Sequence, residues 1–395
     1  MILYFQYNYK INGSSAETFA QIQATKKNVD YFVGVKFKNS IYQREGLFKN
    51  GTYSENSFGK GEKQSFSDFS VKAGLTYKIT GRHLINVNGA YISNAPNVRT
   101  AFSNSRVNNN ITPNLTSEKI ATGDLSYIFR SPKIQSRITA YYTKFRNAIE
   151  TSFFFAEGLL GDQADFVNEI ITGVEKRNIG AEFSIEYQAT PTVKFYGTGS
   201  FGQFTYDNNP HLYLQSESLI NEDSDFGTAY LKDYRVSGTP QRAYAFGFEY
   251  RDPAYWWFQV NGSFLSHNYL DISPLLRTDN FYLDSDGVPF LDKETGLQVT
   301  QEQVNDLLKQ EKFKEAFLLD AVGGKSWKIQ NNYLGFFMGI NNILGELFKT
   351  GGFEQSRKSN YPELKEDMQL DKPIFGPKYW YGNKTSFYLN LYVRF

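Results

Sequence analysis

Asp284-Ser285-Asp286-Gly287, followed by Asp292 and Glu294, is the stretch of this sequence whose residue types come nearest to a chemical site. Acidic side chains at alternating positions before a glycine turn can offer carboxylate oxygens to a hard cation, so Asp284, Asp286 and Asp292 are candidate calcium ligands. The spacing of an EF-hand loop is not met, because further oxygen ligands and a glutamate at the twelfth position are missing. An Asp-Gly turn in a loop hairpin explains the same residues more simply. Elsewhere the chemistry is sparse. The chain has no cysteine, which excludes disulfides, thiolate metal sites and a cysteine nucleophile. Its three histidines, His83, His211 and His267, are scattered, so neither a His-ligated metal nor a His-based triad is expected. No glycine-rich loop has phosphate or dinucleotide spacing, and no nucleophile and base stand out as a pair. The sequence predicts no enzyme and, apart from the calcium candidate, no cofactor.

The remaining charged residues are notable for where they stand. Lys72, Lys78, Asp124, Arg137, Glu182, Glu186 and Lys194 lie in runs where polar and apolar residues alternate. Period-two alternation marks an extended strand with two unlike faces. Leu125, Tyr127 and Phe129 alternate with Asp124, Ser126 and Ile128, and Phe183, Ile185 and Tyr187 with Glu182, Ser184 and Glu186. The chain end shows it best, with Phe387, Leu389, Leu391, Val393 and Phe395 interleaved with Ser386, Tyr388, Asn390, Tyr392 and Arg394. Soluble sandwiches alternate too, but two features set this chain apart. Its runs often reach about ten residues, the length of a tilted strand crossing a bilayer, against ~5–6 for a globular strand. Its connections also alternate between short and long. Short ones fall at Thr25–Asp30, Thr80–Arg82, Arg130–Lys133, Gln188–Thr192, Arg251–Ala254 and near Gln330–Asn332, and long ones roughly at 43–65, 95–117, 148–177, 207–239, 269–323 and 344–383. Outer-membrane barrels have short periplasmic turns and long outer loops. In such a barrel the charged strand residues face the lumen, because one Arg or Lys at the lipid midplane costs ~2–4 kcal/mol. There they contact a plug or a solute, or pair with one another in a solvated wall.

The pattern predicts about fourteen strands. They lie near 2–10, 16–25, 30–42, 66–79, 84–94, 118–129, 134–147, 177–188, 193–206, 240–250, 255–268, 324–330, 333–343 and 384–395, and the one short connection on the outer side is Ile11–Ser15. Interfacial girdles account for a chain with 35 Phe, 28 Tyr and 4 Trp. Tyr250, Tyr255, Trp256 and Trp257 flank one short turn, and Tyr379, Trp380 and Tyr381 precede the last strand at the outer rim. Thr300 to Phe317, with Val304, Leu307, Leu308, Phe313 and Phe317 near helical spacing, is the one helix expected, inside the longest outer loop. No stretch approaches the ~18 apolar residues of a membrane-spanning helix. A net charge of +1 offers no footprint for nucleic acid. The start, Met1-Ile2-Leu3-Tyr4-Phe5-Gln6-Tyr7, has no signal-peptide pattern, which favours a mature or partial chain.

Several segments resemble a known family. Ile111-Thr112-Pro113-Asn114-Leu115-Thr116-Ser117-Glu118-Lys119 resembles the NPNLKPE segment of TonB-dependent receptors, and Thr239-Pro240-Gln241 resembles their TPQ ahead of an aromatic strand. Gly323-Gly324-Lys325-Ser326-Trp327, Asn341-Asn342-Ile343-Leu344, Gly351-Gly352-Phe353-Glu354-Gln355-Ser356-Arg357 and Phe375-Gly376-Pro377-Lys378-Tyr379-Trp380-Tyr381 are similar to the C-terminal barrel of the receptor branch typical of Bacteroidetes. The closing Phe395 resembles the terminal aromatic that barrel-assembly machinery recognises, which makes it the candidate assembly signal. The resemblance implies an all-β fold, a transmembrane antiparallel β-barrel of about 22 strands. Residues 1–395 would then be the C-terminal part of that barrel, without its plug and first strands. It also implies a multi-pass location in a Gram-negative outer membrane. The implied partners are outer-membrane lipid, a plug domain, TonB and an imported solute, with a surface lipoprotein as a further candidate. No motif here carries the family's solute ligands. Active import is the leading function. The alternatives are a passive porin of about fourteen strands and a soluble β-sandwich binding protein, which its apolar stripes disfavour.

Overall fold

In the computed structural model, which describes residues 7–159, 163–216 and 224–395, the alternating runs become strands of an antiparallel sheet. In chain order these are β1 (Tyr9–Lys26), β2 (Val29–Gly46), β3 (Gly59–Lys78), β4 (His83–Asn94), β5 (Glu118–Arg130), β6 (Ile134–Leu159), β7 (Gln163–Gln188), β8 (Val193–Tyr206), β9 (His211–Gln215), β10 (Ser224–Thr228), β11 (Arg242–Arg251), β12 (Trp256–Ser266), β13 (Ala316–Ile329), β14 (Asn332–Asn341), β15 (Lys349–Phe353), β16 (Lys378–Tyr381) and β17 (Ser386–Arg394). Among the described residues two short helices, α1 (Gln301–Leu307) and α2 (Tyr361–Met368), lie in the connections. Among the described residues thirteen strands form the wall, in the order β1 to β8, β11 to β14, then β17. β9 and β10 make a ribbon on the outer half of β7, and β15 and β16 form a separate hairpin. Among the described residues β1 and β17 each pair on one side only, so the wall is an open, partial barrel.

Some expected boundaries move. Tyr9 and Lys10, the end of the run expected at 2–10, continue without a break into the run at 16–25, because β1 stays paired with β2 from Tyr9↔Gly46 to Lys26↔Val29. The small polar residues Gly13, Ser14 and Ser15 carry turn propensity, but continuous pairing overrides it, and the anomalous short outer connection disappears. Residues 1–6 lie outside the described residues. The long connection expected at 148–177 is largely strand, since β6 and β7 are each 26 residues long. β7 pairs with β8 only over Lys176–Gln188, about one membrane crossing. The remaining described residues of β6 and β7 extend past that crossing.

The helix expected over Thr300–Phe317 stops at Leu307. Thr300 caps it, accepting from the Gln303 N–H while Gln303 accepts from the Thr300 N–H. Beyond it the chain is drawn out, with the Leu270 N–H donating to Glu311 O and the Phe313 N–H to Asn268 O. These bonds extend the β12–β13 ladder, where Phe317 stands opposite Phe264, so β13 begins before residue 324. α2 is a second helix. Asn360 accepts the Glu363 N–H, Pro362 sits in the first turn, and Tyr361 and Leu364 turn inward.

Cross-strand register gathers the apolar alternates on one face. Leu75 stands between Tyr31 and Val87, Val87 faces Leu125, and Ile138 stands between Tyr127 and Phe183. These side chains are all exposed, while their backbone groups are consumed by the ladder. The charged residues Lys72, Lys78, Asp124, Arg137, Glu182, Glu186 and Lys194 share the opposite face. Packed hydrophobic clusters lie instead at the outer end. One joins Val167, Ile171 and Val174 of β7 to Leu212 and Leu214 of β9 and to Ile272 and Leu275. The other joins Phe281, Val299 and Val304 to Tyr361 and Leu364. The outer loops are thereby folded into a cap.

Candidate functional site

The three calcium candidates lie in this cap. The Asp284 carboxylate accepts the N–H groups of Asp286 at 3.0 Å and Val288 at 2.9 Å, closing a turn with Gly287 at φ 74°. Asp292 belongs to the next turn, where it accepts the N–H groups of Glu294 and Thr295. The Lys365 ammonium, 2.7 Å away, holds the Asp292 carboxyl below its ordinary range, helped by the Glu294 N–H. Among the described residues, no three acidic or histidine side chains form a group that could hold a metal.

The concave, polar face of the wall forms a hollow of about 710 Å³. It is lined by Asp124, Arg137 and Glu182 together with a belt of hydroxyls. Arg137 and Asp124 are engaged within the wall. Arg137 donates to Ser126 at 3.0 Å and to Thr139 at 3.1 Å, Asp124 accepts from Asn88 at 3.0 Å, and Lys78 pairs with Asp30 at 2.7 Å. Such a surface is wettable and holds its own side chains in place.

A second cavity, about 490 Å³, opens in the cap between the outer part of β6 and the chain at 271–274 and 353–357. Four carboxylates line it. Glu150 pairs with Lys176 and accepts the Tyr206 hydroxyl. Glu354 is held by Arg277 at 2.5 Å and 2.9 Å. Glu169 accepts Ser152 at 2.8 Å and the Leu275 N–H at 3.1 Å, and Asp271 accepts Ser237 at 2.7 Å. Burial pushes the Glu169 carboxyl up to about 7 and raises that of Asp271. Phe153, Phe155, Phe353, Phe375 and Trp380 supply ring surface, and the Arg357 guanidinium lies 4.2 Å from the centre of the Phe155 ring. Trp380, expected in a rim girdle, lines this cavity and packs against Phe353 at 5.8 Å. Alternation did not point to these residues, because they stand outside the wall pattern. The signal was in two family-like segments, 351–357 and 375–381, which the chain folds onto the cavity.

Folded loops over an open, lumen-facing wall define a class: an outer-membrane β-barrel with an organised mouth. The family model described as TonB dependent receptor-like, beta-barrel matches residues 3–343, and the chain belongs to that family. The family is one of outer-membrane transport proteins of Gram-negative bacteria, and no catalytic family is indicated. Among solved structures, the ferric-catecholate import receptor Fiu of E. coli K12 has 13% identity and a TM-score of 0.57, covering 98% of this chain and 45% of its own. The siderophore receptor PiuA of Acinetobacter baumannii has 10% identity and a TM-score of 0.61, covering 98% and 44%. The ferric yersiniabactin uptake receptor FyuA of Yersinia pestis has 11% identity and a TM-score of 0.54, covering 98% and 46%. This chain therefore spans less than half the length of these structures. No curated protein matches the sequence.

Proposed function

We propose that this chain is the C-terminal wall, rim and capture surface of a TonB-dependent importer. Outer loops bind a solute, a plug domain closes the lumen, and TonB pulls on the plug to open a path along the polar wall. The observation that carries this reading is the cap cavity, which sets carboxylates and rings at the outer end of a wall with a hydrophilic inner face. The partners it requires are a plug, TonB and one solute. Phe395, at the end of β17 opposite the capped end of the wall, serves as the assembly signal. The test is uptake by intact cells carrying the complete receptor, with and without TonB coupling. Import should stop when coupling is removed. Uptake that continues at the same rate would eliminate the active mechanism and favour a passive pore.

A further inference from the structure

The cap cavity has a free strand edge. β5 pairs with β6 only as far as Lys119↔Arg146, so from residue 147 outward, among the described residues, β6 has β7 on one side and no wall strand on the other. Its register with β7 is unbroken from Glu150↔Ile171 to Glu157↔Ala164. Glu157 turns its main chain away from β7, donating to Arg357 O at 2.7 Å and accepting the Ser359 N–H at 3.1 Å. Strand backbone groups alternate in direction, so Phe155, Phe153 and Thr151 present N–H and C=O to that same side. Among the described residues, no main-chain bond meets these three groups there. The chain at 353–357 faces them across the cavity. It is tied at one end to Asp271, through the Glu354 N–H, and at the other to Glu157.

An open edge of this kind is a template for another extended chain. The surrounding side chains define which one. Glu169 and Asp271 accept only hydroxyl and amide donors among the described residues, leaving carboxylate oxygens without a basic partner. Phe353 and Trp380 offer ring faces beside them. We propose that the cavity captures an extended, basic peptide by strand addition. The peptide main chain pairs with Thr151, Phe153 and Phe155 of β6, its basic side chains meet Glu169 and Asp271, and its apolar ones rest on Phe353 and Trp380. This names the solute class of the importer reading and rests on that reading only for the transport step after capture.

The experiment is binding of a labelled, alternating lysine–valine hexapeptide to isolated outer membranes that contain the complete receptor, with receptor-free membranes as reference. Binding should be saturable and receptor-dependent. Methylating alternate peptide nitrogens should weaken it about tenfold, the scale of one unmade backbone hydrogen bond. A glutamate–valine peptide should fail to bind, and spermine, a cation with no peptide backbone, should not compete. Thr151→Pro removes an N–H that points away from β7, so the β6–β7 ladder survives while peptide affinity falls. Heat-modifiable migration in gels reports whether that variant has assembled, and the methylated peptide on the unaltered receptor decides the question if it has not. Absence of hexapeptide binding, equal binding of the methylated peptide, or equal competition by spermine overturns the proposal. These membranes contain no energised TonB, so loss of TonB-dependent uptake would sink the importer reading and leave the binding result standing.

Discussion

Glu169 is the residue whose protonation the cap should feel most. It is buried between Ser152 and the Leu275 N–H, on the part of β7 that lies beyond the bilayer, and Glu150 and Asp271 add negative charge nearby. Burial raises its folded pKa to about 7 from 4.5. The folded cap then binds more protons than the opened one between those values, so its stability is full below pH 4.5 and falls as pH rises through about 7. The whole effect is on the order of 3 kcal/mol. Hydrogen exchange at the Leu275 amide should therefore accelerate over that range beyond its intrinsic base dependence, and Glu169→Gln should flatten the profile. Arg277 makes the opposite case. Its buried guanidinium clamps Glu354, the Ser273 carbonyl and the Leu308 carbonyl, so Arg277→Ala leaves the half-buried Glu354 carboxylate without its cation. A cost of about 3–5 kcal/mol is expected, seen as faster protease cleavage within 267–315 while the wall stays intact.

At the scale of elements, the two faces of β17 give the sharpest contrast. Leu389 stands opposite Met338 on the apolar face, and Asn390 opposite Phe337 on the polar one. Leu389→Lys places a charge in hydrocarbon at a cost of ~2–4 kcal/mol and should block membrane assembly, whereas Asn390→Lys should be tolerated. Equal heat-modifiable migration of the two variants would count against the assigned faces. Glycines on β14 serve the inner face. The Tyr388 ring lies over Gly339 and the Tyr392 ring over Gly335, each directly across the ladder, in the space a Cβ would fill. Gly339→Val must push Tyr388 off its edge contact with Phe337, and overpacking of this kind costs about 1–3 kcal/mol. A lower midpoint of heat-induced gel shift is the readout. Gln241 is a similar fixture. Its side chain accepts the Phe204 N–H and donates to the carbonyls of Phe204 and Val236, fastening the outer end of β8.

At the scale of the molecule, the wall formed by the described residues has two free edges, β1 and β17. Unpaired strands cannot face hydrocarbon, because each open N–H and C=O lacks a partner there. Residues 1–395 refolded alone should therefore give no steady conductance in planar bilayers and should associate edge to edge. A stable single-channel current from the isolated chain would instead favour the self-contained porin.

Much of the wall was legible in the sequence, because a strand between lipid and a polar lumen writes its two environments into alternate residues. The positions of Leu125, Phe183 and Leu389 on one face, and of Asp124, Glu182 and Asn390 on the other, follow from that period alone. Strand continuity was less legible. Ile11–Ser15 reads as a short connection until β2 is placed alongside, and 148–177 reads as a loop until β6 and β7 pair. The cap was hardest to see. Glu150, Glu169, Asp271, Glu354 and Trp380 are distant along the chain and obey no period. Only packing between the β6–β7 hairpin and the later loops brings them around one cavity, because long-range burial and chain crossing carry no local signature.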